Sequence, residues 1–465
     1  MTGAPAYLET LDGQGVAAHC RALREARPVR GQALQPMRGV PVPELPERWT
    51  WVSLSTLCER VSVGHVGPTS EFFCDPTEGV PLIRSQDVRP GRLMIENAAY
   101  VTNEFHQLHM KSQLRAGDIL VVRVGANRSD SCIVPLGLGR LNCANIVFAR
   151  PFFPNGFLSY FLRSDFGRDL LLSSTTGSAQ GVINTESVAQ TPVPCPPLPT
   201  QRNIATILLA YDDLIENNLR RITILEEMGL NVYREWFIHF RFPGHERSDF
   251  GPASSQPPRG WQVLSVMGVP AFRFISENVR PYPGDKEYFA TANVDGIDIV
   301  KPGIWYSSPE KPSRAQKQPV ANSVWFARMR DTYKLLCFTD TSRPKSDACL
   351  LSSGFAGFEA PSEWFGFLYF TIKSSEFHEQ RDLYATGATQ VALTNDGLRR
   401  IQITVPDAET AVKFGHVVGP IISQISTLQT RNAILRQARD LLLPKLLCGE
   451  LDVSQLDIDI GGAAA

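Results

Sequence analysis

The chain has 465 residues, of which 43% are hydrophobic and 20% charged, and its formal net charge is −1. Such a length calls for roughly two to four domains, and the composition excludes a disordered or fibrous chain. No apolar run reaches the ~18 residues of a membrane span. There is no basic-then-apolar leader, and the nine cysteines include no Cys-x-x-Cys pair, so a cytoplasmic protein with reduced thiols is expected.

Residues 1–44 have no counterpart elsewhere in the chain. A short helix fits between Glu9 and Arg30, but the segment is expected to be a flexible N-terminal arm of unknown role. Residues 45–197 open on Trp49 and Trp51 and carry short β-branched runs such as Asp118–Val124, broken by Gly, Pro, Asn and Asp. These are strand and turn signals. A proline-rich joint from Thr191 to Pro199 closes the region, because proline continues neither a strand nor a helix. Residues 198–240 have helical periodicity, and 241–258 form a linker. Residues 259–405 begin near Trp261 and repeat the strand-and-turn pattern. Residues 406–447 are again helical, with Gly419-Pro420 as a potential kink, and the tail 448–465 is expected to fray.

The two halves are related. Thr176-Gly177-Ser178-Ala179-Gln180 matches Thr386-Gly387-Ala388-Thr389-Gln390 at an offset of 210, which also aligns Ile183 with Leu393 and Pro196 with Pro406. Ser85-Gln86-Asp87-Val88 falls against Thr291-Ala292-Asn293-Val294 at 206, and the run ending in Arg123 against the run ending in Arg328 at 205. Small drifts in offset are loop insertions. Along the helices, Leu208, Tyr211, Ile215, Asn218, Ile222 and Leu225 form one seam. Phe414, Val418, Ile421, Ile425, Leu428, Asn432 and Leu435 form the other. Steps of three and four make heptads, and one asparagine in each seam suits a residue that fixes register. An antiparallel pairing centred near residues 220 and 430 would place Asn218 opposite Asn432. The expected fold is therefore α+β: two globular mixed α/β domains separated by two long antiparallel helices forming a coiled coil, a pseudo-twofold internal repeat.

Charge is uneven along the chain. Residues 301–345 hold nine basic and three acidic side chains, whereas Asp212–Glu235 holds six acids against three arginines. This suits contact with nucleic acid through one part and protein through another, or is simply a solvated pattern. Nucleotide loops, dinucleotide fingerprints and deaminase signatures are absent from the sequence. Pro406-Asp407 with Glu409 and Lys413 loosely suggests a nuclease, but the spacing fits a helix cap at Asp407 better. His106 and His109 lie in a polar stretch that suits a metal site poorly.

Three segments resemble the specificity subunits of type I restriction–modification systems. They are Pro196-Pro197-Leu198-Pro199-Thr200-Gln201-Arg202-Asn203-Ile204-Ala205, the stretch from Arg234-Glu235-Trp236-Phe237 to Pro243-Gly244, and Leu441 to Leu451. Gly177-Ser178-Ala179-Gln180 is similar to a further motif of that family, while Val405-Pro406-Asp407 departs from its usual second joint. The resemblance implies two target-recognition domains, each reading one half of a split double-stranded DNA target, with the helices as spacer. It implies no catalysis and no cofactor in this chain. Two methyltransferase subunits would bring S-adenosylmethionine, and restriction subunits would bring ATP-driven translocation and Mg²⁺-dependent cleavage. A related phage-defence methylation system without restriction, or a self-contained nuclease, are the alternatives.

Under that resemblance, Arg or Lys would read guanine and Asn or Gln adenine in the major groove. The candidates are Gln86, Arg123, Asn127, Arg128 and Gln180 in the first domain. Those in the second are Asn293, Arg328, Arg330, Lys334 and Gln390. Arg123 and Arg328 serve equally as phosphate contacts or surface ion pairs, and Gln180 and Gln390 as turn-satisfying side chains. Tyr288, Trp305 and Tyr306 are expected in the core.

Overall fold

The structure is a computed structural model and describes residues 13–26, 42–173, 181–247, 257–339, 341–342, 344–387 and 391–456. The chain forms two compact units, residues 1–213 with 437–465, and residues 214–436. Both mix helices with sheets, and two long helices each contribute a segment to both units.

The first unit begins with α1 (Gly13–Glu25), followed by β1 (Thr50–Ser53), β2 (Cys58–Val63), β3 (Val80–Ile83), β4 (Val88–Arg89), β5 (Arg92–Leu93) and β6 (Ala99–Val101). Next come α2 (Asn103–Leu108), β7 (Gln113–Leu114), β8 (Ile119–Val122), β9 (Ser131–Ile133), β10 (Leu141–Cys143) and β11 (Ile146–Pro151). α3 (Gly156–Arg163), α4 (Asp165–Ser173), α5 (Thr185–Ala189) and β12 (Pro192–Cys195) lead into α6 (Leu198–Tyr233). One four-stranded sheet has the order β2-β11-β8-β9 and the other β6-β3-β10-β7, while β1 pairs with β12. The apolar run of β8 is explained by burial on both faces. Ile119 and Val121 enter one core with Val147 and Phe157, while Leu120 and Val122 enter another with Ile146 and Phe148.

Part of the expected N-terminal arm is docked on this unit. Leu23 and Ala26 pack against the core that includes Leu54 and Leu57, and the buried His19 ring meets Phe153 edge-on at 5.1 Å.

The second unit contains β13 (Gln262–Ser265), β14 (Arg273–Phe274), β15 (Asp285–Phe289), β16 (Val294–Asp295), β17 (Asp298–Ile299), β18 (Ile304–Ser307), β19 (Ala315–Lys317) and β20 (Ser323–Ala327). β21 (Leu335–Phe338), β22 (Cys349–Ser352), β23 (Phe355–Glu359), α7 (Ser362–Lys373) and α8 (Ser375–Leu383) follow. β24 (Ala385–Thr386), β25 (Ala392–Leu393), α9 (Asn395–Leu398) and β26 (Gln402–Val405) precede α10 (Ala408–Cys448). Its four-stranded sheets run β14-β23-β20-β21 and β18-β15-β22-β19, the orders of the first unit with every label raised by twelve. The parallel pair β3/β10 likewise matches β15/β22. Small residues stand where the first helix after the sheets crosses a long helix. A Cβ on Gly156 would lie 3.2 Å from the Ala205 Cβ; one on Gly366 would lie 2.6 Å from Val418 Cγ2 and 3.3 Å from the Gly415 Cα.

α6 has 36 residues and passes into a π turn, Arg234–Ile238, which buries Trp236 and Phe237. The Phe237 ring lies 4.8 Å from that of Phe414. α10 has 41 residues and continues through Gly419-Pro420. His416 and Pro420 are both exposed, so water can serve the carbonyl that proline leaves without a donor. Within the second unit, Asn218 donates to Asn432 Oδ1 at 2.9 Å, and Ile222 packs with Ile425 and Leu428. As α6 runs from Asn218 to Tyr233, its partners on α10 fall back from Asn432 to Phe414. Within the first unit, Asp212 accepts from Arg439, 2.6 Å away, and from Arg163 at 2.6 Å and Tyr160 at 2.7 Å.

Candidate nucleic-acid interface

In the first unit the loop after β8 carries three of the candidate side chains. Gly125 (φ +89°) and Ser129 (φ +74°) give the loop its turn, and backbone bonds from Ser129 N to Val122 O and Val122 N to Asp130 O close it at 2.9 Å each. Its first residue is docked elsewhere, because Ile183 N donates to Arg123 O at 3.1 Å. The Arg128 guanidinium donates to Gly181 O, and Arg168 holds Asp130 at 3.0 Å. Arg123 is half-buried, and its buried Nε has no hydrogen-bond partner among the described residues. Gln86 projects from the turn Ser85–Asp87, which is fixed from beneath by Arg84 N donating to the buried Asp87 carboxylate at 2.8 Å. Asn127 is half-buried. Gln180 lies outside the described residues.

The second unit docks its loop in the same way. Leu393 N donates to Arg328 O at 2.8 Å and Arg330 N to Val391 O at 3.0 Å. Asp331, like Ser129, adopts a positive φ, +54°. The side chains are committed differently, however. Arg328 donates to Leu393 O at 3.0 Å and to Asn395 Oδ1 at 2.9 Å, and burial lowers its pKa. Lys334 donates to Thr291 O at 2.8 Å. Asn293 accepts from Ala290 N at 2.9 Å and donates to Pro302 O at 2.9 Å. These three side chains therefore hold the loop and turn in shape. Arg330 is exposed, and among the described residues its guanidinium has only Asp331, at 3.6 Å. Gln390 lies outside the described residues.

A cleft of about 390 Å³ flanks the first loop, lined by Arg128, Asp165, Arg168 and Asp169; a cleft of about 480 Å³ flanks the second, lined by Arg234, Asp331, Tyr333, Lys373, His378 and Arg381. Lys373 is buried, pairs with Glu226 and donates to the Tyr333 hydroxyl at 2.7 Å. Burial pushes Glu226 up and takes the His378 imidazole down to about 4. Asp407 caps α10 by accepting from Thr410 N at 2.8 Å and from Trp261 Nε1 at 3.0 Å.

Two features are not foreseen from the sequence. Trp305, expected in the core, is 57% exposed, and its neighbour Ile304 is 59% exposed. The anchors of α3 and α7 to the long helices, Arg163 and Lys373, are also missed, although the 210-residue offset aligns them. No helix among the described residues is long and apolar enough to cross a membrane.

Taken together, the fold and site define a two-unit α+β protein whose units share one strand order and one way of docking a polar loop. Residues 149–227, from β11 into α6, match the family described as the type I restriction modification DNA specificity domain. The chain is 24% identical over 315 residues to the type I restriction enzyme MjaIX specificity subunit of Methanocaldococcus jannaschii, covering 64% of this chain and 70% of that protein. It is 22% identical over 330 residues to the HindI specificity subunit of Haemophilus influenzae, covering 58% and 71% respectively. Among solved structures it is similar to the S subunit of a type I restriction–modification system from M. genitalium, at 14% identity and a TM-score of 0.47, over 87% of this chain and 98% of that one. The chain is thus similar to type I restriction–modification specificity subunits, by the family match over residues 149–227 and by the curated relatives over 58–64% of its length.

Proposed function

We propose that this chain is the DNA sequence-specificity subunit of a type I restriction–modification complex, and that each unit reads one half of a bipartite double-stranded target. The observation that carries this reading is the matched loop docking. Ile183 N bonds Arg123 O, as Leu393 N bonds Arg328 O, so one presenting device occurs in two units of one topology. Gln86, Arg123 and Asn127 are the side chains proposed to meet DNA in the first unit, and Arg330 in the second. Arg128, Arg328, Asn293 and Lys334 are assigned to framing the loops. Gln180 and Gln390 are proposed to belong to the same surfaces.

α6 and α10 are proposed to form an antiparallel coiled coil that sets the gap between half-sites, with Asn218 and Asn432 fixing its register. A 36-residue helix is about 54 Å long. Exposed Leu214, Ile224 and Met228 on α6, with Val417 and Ile434 on α10, support docking of two methyltransferase subunits on these helices. Methyl transfer and cleavage are assigned to partner subunits, with no chemistry in this chain.

The test is methylome sequencing of cells with and without the gene. A two-part adenine motif with a fixed gap should vanish with the gene, and exchanging residues 259–405 for another such domain should change one half of it. Loss of no motif, or a change in both halves on exchange, would overturn the reading. Restriction of phage carrying the unmethylated motif separates a complex with restriction subunits from one without.

A further inference from the structure

We propose that Trp305 forms an apolar wedge of the second unit that packs against bases or sugars of the DNA beside the turn Thr291–Asn293; this rests on the specificity reading above. β18 is the outer strand of its sheet, and Trp305 stands opposite Glu287 on β15. Trp305 is more than half exposed, as is Ile304, which projects from the opposite face of the strand. An exposed Trp on an open sheet edge, with an exposed Ile on the strand's other face, is a liability in a protein with no partner there. The wedge is also built onto the recognition turn. Asn293 donates to Pro302 O at 2.9 Å and Gly303 N to the Glu287 carboxylate at 2.9 Å, so the residues leading into Ile304 are fixed from two sides. The same turn receives Lys334 through Thr291 O, at 2.8 Å, so turn 291–293 supports both the wedge and the cationic loop.

Charge selects the occupant. Lys301 is exposed at the start of the wedge and Arg330 on the loop, and residues 301–345 hold nine basic side chains against three acidic ones. A polyanion whose bases have flat apolar faces fits a cationic surface with an indole in it. Phosphates take the lysine and arginine, and the indole takes a base or sugar face. An acidic or neutral protein surface would satisfy only one half of that pattern. In the first unit the matching place, opposite Pro81 on β3, is held by the half-buried Tyr100, so the wedge belongs to the second unit.

The test uses the full chain assembled with its two methyltransferase subunits, and a labelled duplex carrying the motif that methylome sequencing supplies. Trp305→Ala should weaken binding by about 5- to 100-fold, the range for loss of an aromatic–base stack, while Trp305→Phe retains most of the affinity. The slope of affinity against salt should stay the same, because no phosphate contact is removed. Unchanged affinity in Trp305→Ala would overturn the proposal. So would failure of that variant to assemble with the methyltransferase subunits, which would make the patch a protein contact. If the wild-type complex itself shows no preference for a bipartite duplex, the specificity reading fails and the wedge falls with it; a wedge failure alone leaves wild-type preference intact.

Discussion

The two units share strand order, a docked loop and a helix crossing, yet they are joined to the long helices by different chemistry. In the first unit Asp212 sits between Arg163 and Arg439, and their two guanidiniums hold its carboxyl below the usual carboxylate range despite burial. In the second unit Lys373, at the position that aligns with Arg163, meets Glu226, and there burial wins and the carboxyl is pushed up. Two guanidiniums and the Tyr160 hydroxyl overcome desolvation at Asp212, whereas one ammonium and the Tyr369 hydroxyl, with Glu227 opposing them, do not at Glu226. The topology thus fixes where an anchor stands, and the charges around it decide its behaviour.

The largest effect should come from cutting these anchors. Asp212→Ala leaves the largely buried Arg163 without a counter-charge, while Arg439 keeps, among the described residues, only Asp440 at 2.8 Å, at a cost of about 3–5 kcal/mol, with hydrogen exchange rising first across residues 198–213. The two carboxylates also predict opposite pH responses. The folded pKa of Asp212 lies below its unfolded value, so its contribution is complete above about pH 4 and disappears as the pH falls further. Glu226 has a raised pKa, so the fold opposes its ionisation, and that cost is relieved as the pH falls through the raised value. Protection factors, which remove the intrinsic pH dependence of amide exchange, should therefore rise around Glu226 before they fall around Asp212 as the pH is lowered from 7. Parallel responses would erase the distinction.

The paired helices offer a second contrast. Their segment in the first unit is joined by the Asp212–Arg439 ion pair, and in the second by Asn218–Asn432. Asn218→Leu strands the fully buried Asn432 amide, a loss of about 1–3 kcal/mol in thermal unfolding. Adding Asn432→Leu should restore most of it. A double variant no better than the single would remove the argument for a paired polar seam. A comparable split is expected at the crossings. Gly366→Ala should cost about 1–3 kcal/mol because Val418 and the Gly415 backbone stand in the way. Gly156→Ala meets the Ala205 methyl at 3.2 Å and Leu209 Cδ1 at an ordinary 3.8 Å, and the gain in helix propensity roughly offsets the closer contact.

Periodicity and the 210-residue offset made the helices and the matched strand runs legible, because both follow from burial patterns written into side-chain type. The seam asparagines were legible for the same reason. The short helix α1 falls inside the segment Glu9–Arg30 where one fits, but its docking was not legible, because it depends on Leu23 and His19 finding a surface made by residues far along the chain. Trp305 misled because aromatic character predicts burial on average and an edge strand is a tertiary fact. Pro420 marks a place where α10 loses one backbone hydrogen bond yet continues, and the exposure that makes that loss tolerable is also tertiary. Within the candidate interface, sequence could find the loops but not sort their side chains. The residue types that read bases also brace turns, as Asn293, Lys334 and Arg328 do.

That ambiguity leads to the finest comparison, between Arg123 and Arg328. Arg328→Ala removes two hydrogen bonds made by a charged donor and should destabilise the second unit by about 1–3 kcal/mol, with Asn395 and the loop released together. Arg123→Ala removes no such bond among the described residues, so stability should change by less than about 0.5 kcal/mol. Its effect should appear in DNA binding. If Arg123 meets a base edge, discrimination at one position of one half-site falls by about 1–3 kcal/mol. If it meets a phosphate, affinity falls evenly across sequences and the salt slope drops by about one. Thermal unfolding beside binding to duplexes varied position by position resolves these outcomes. An Arg123→Ala variant that is as unstable as Arg328→Ala would make both arginines bracing residues. The first unit's reading surface would then have to rest on Gln86 and Asn127.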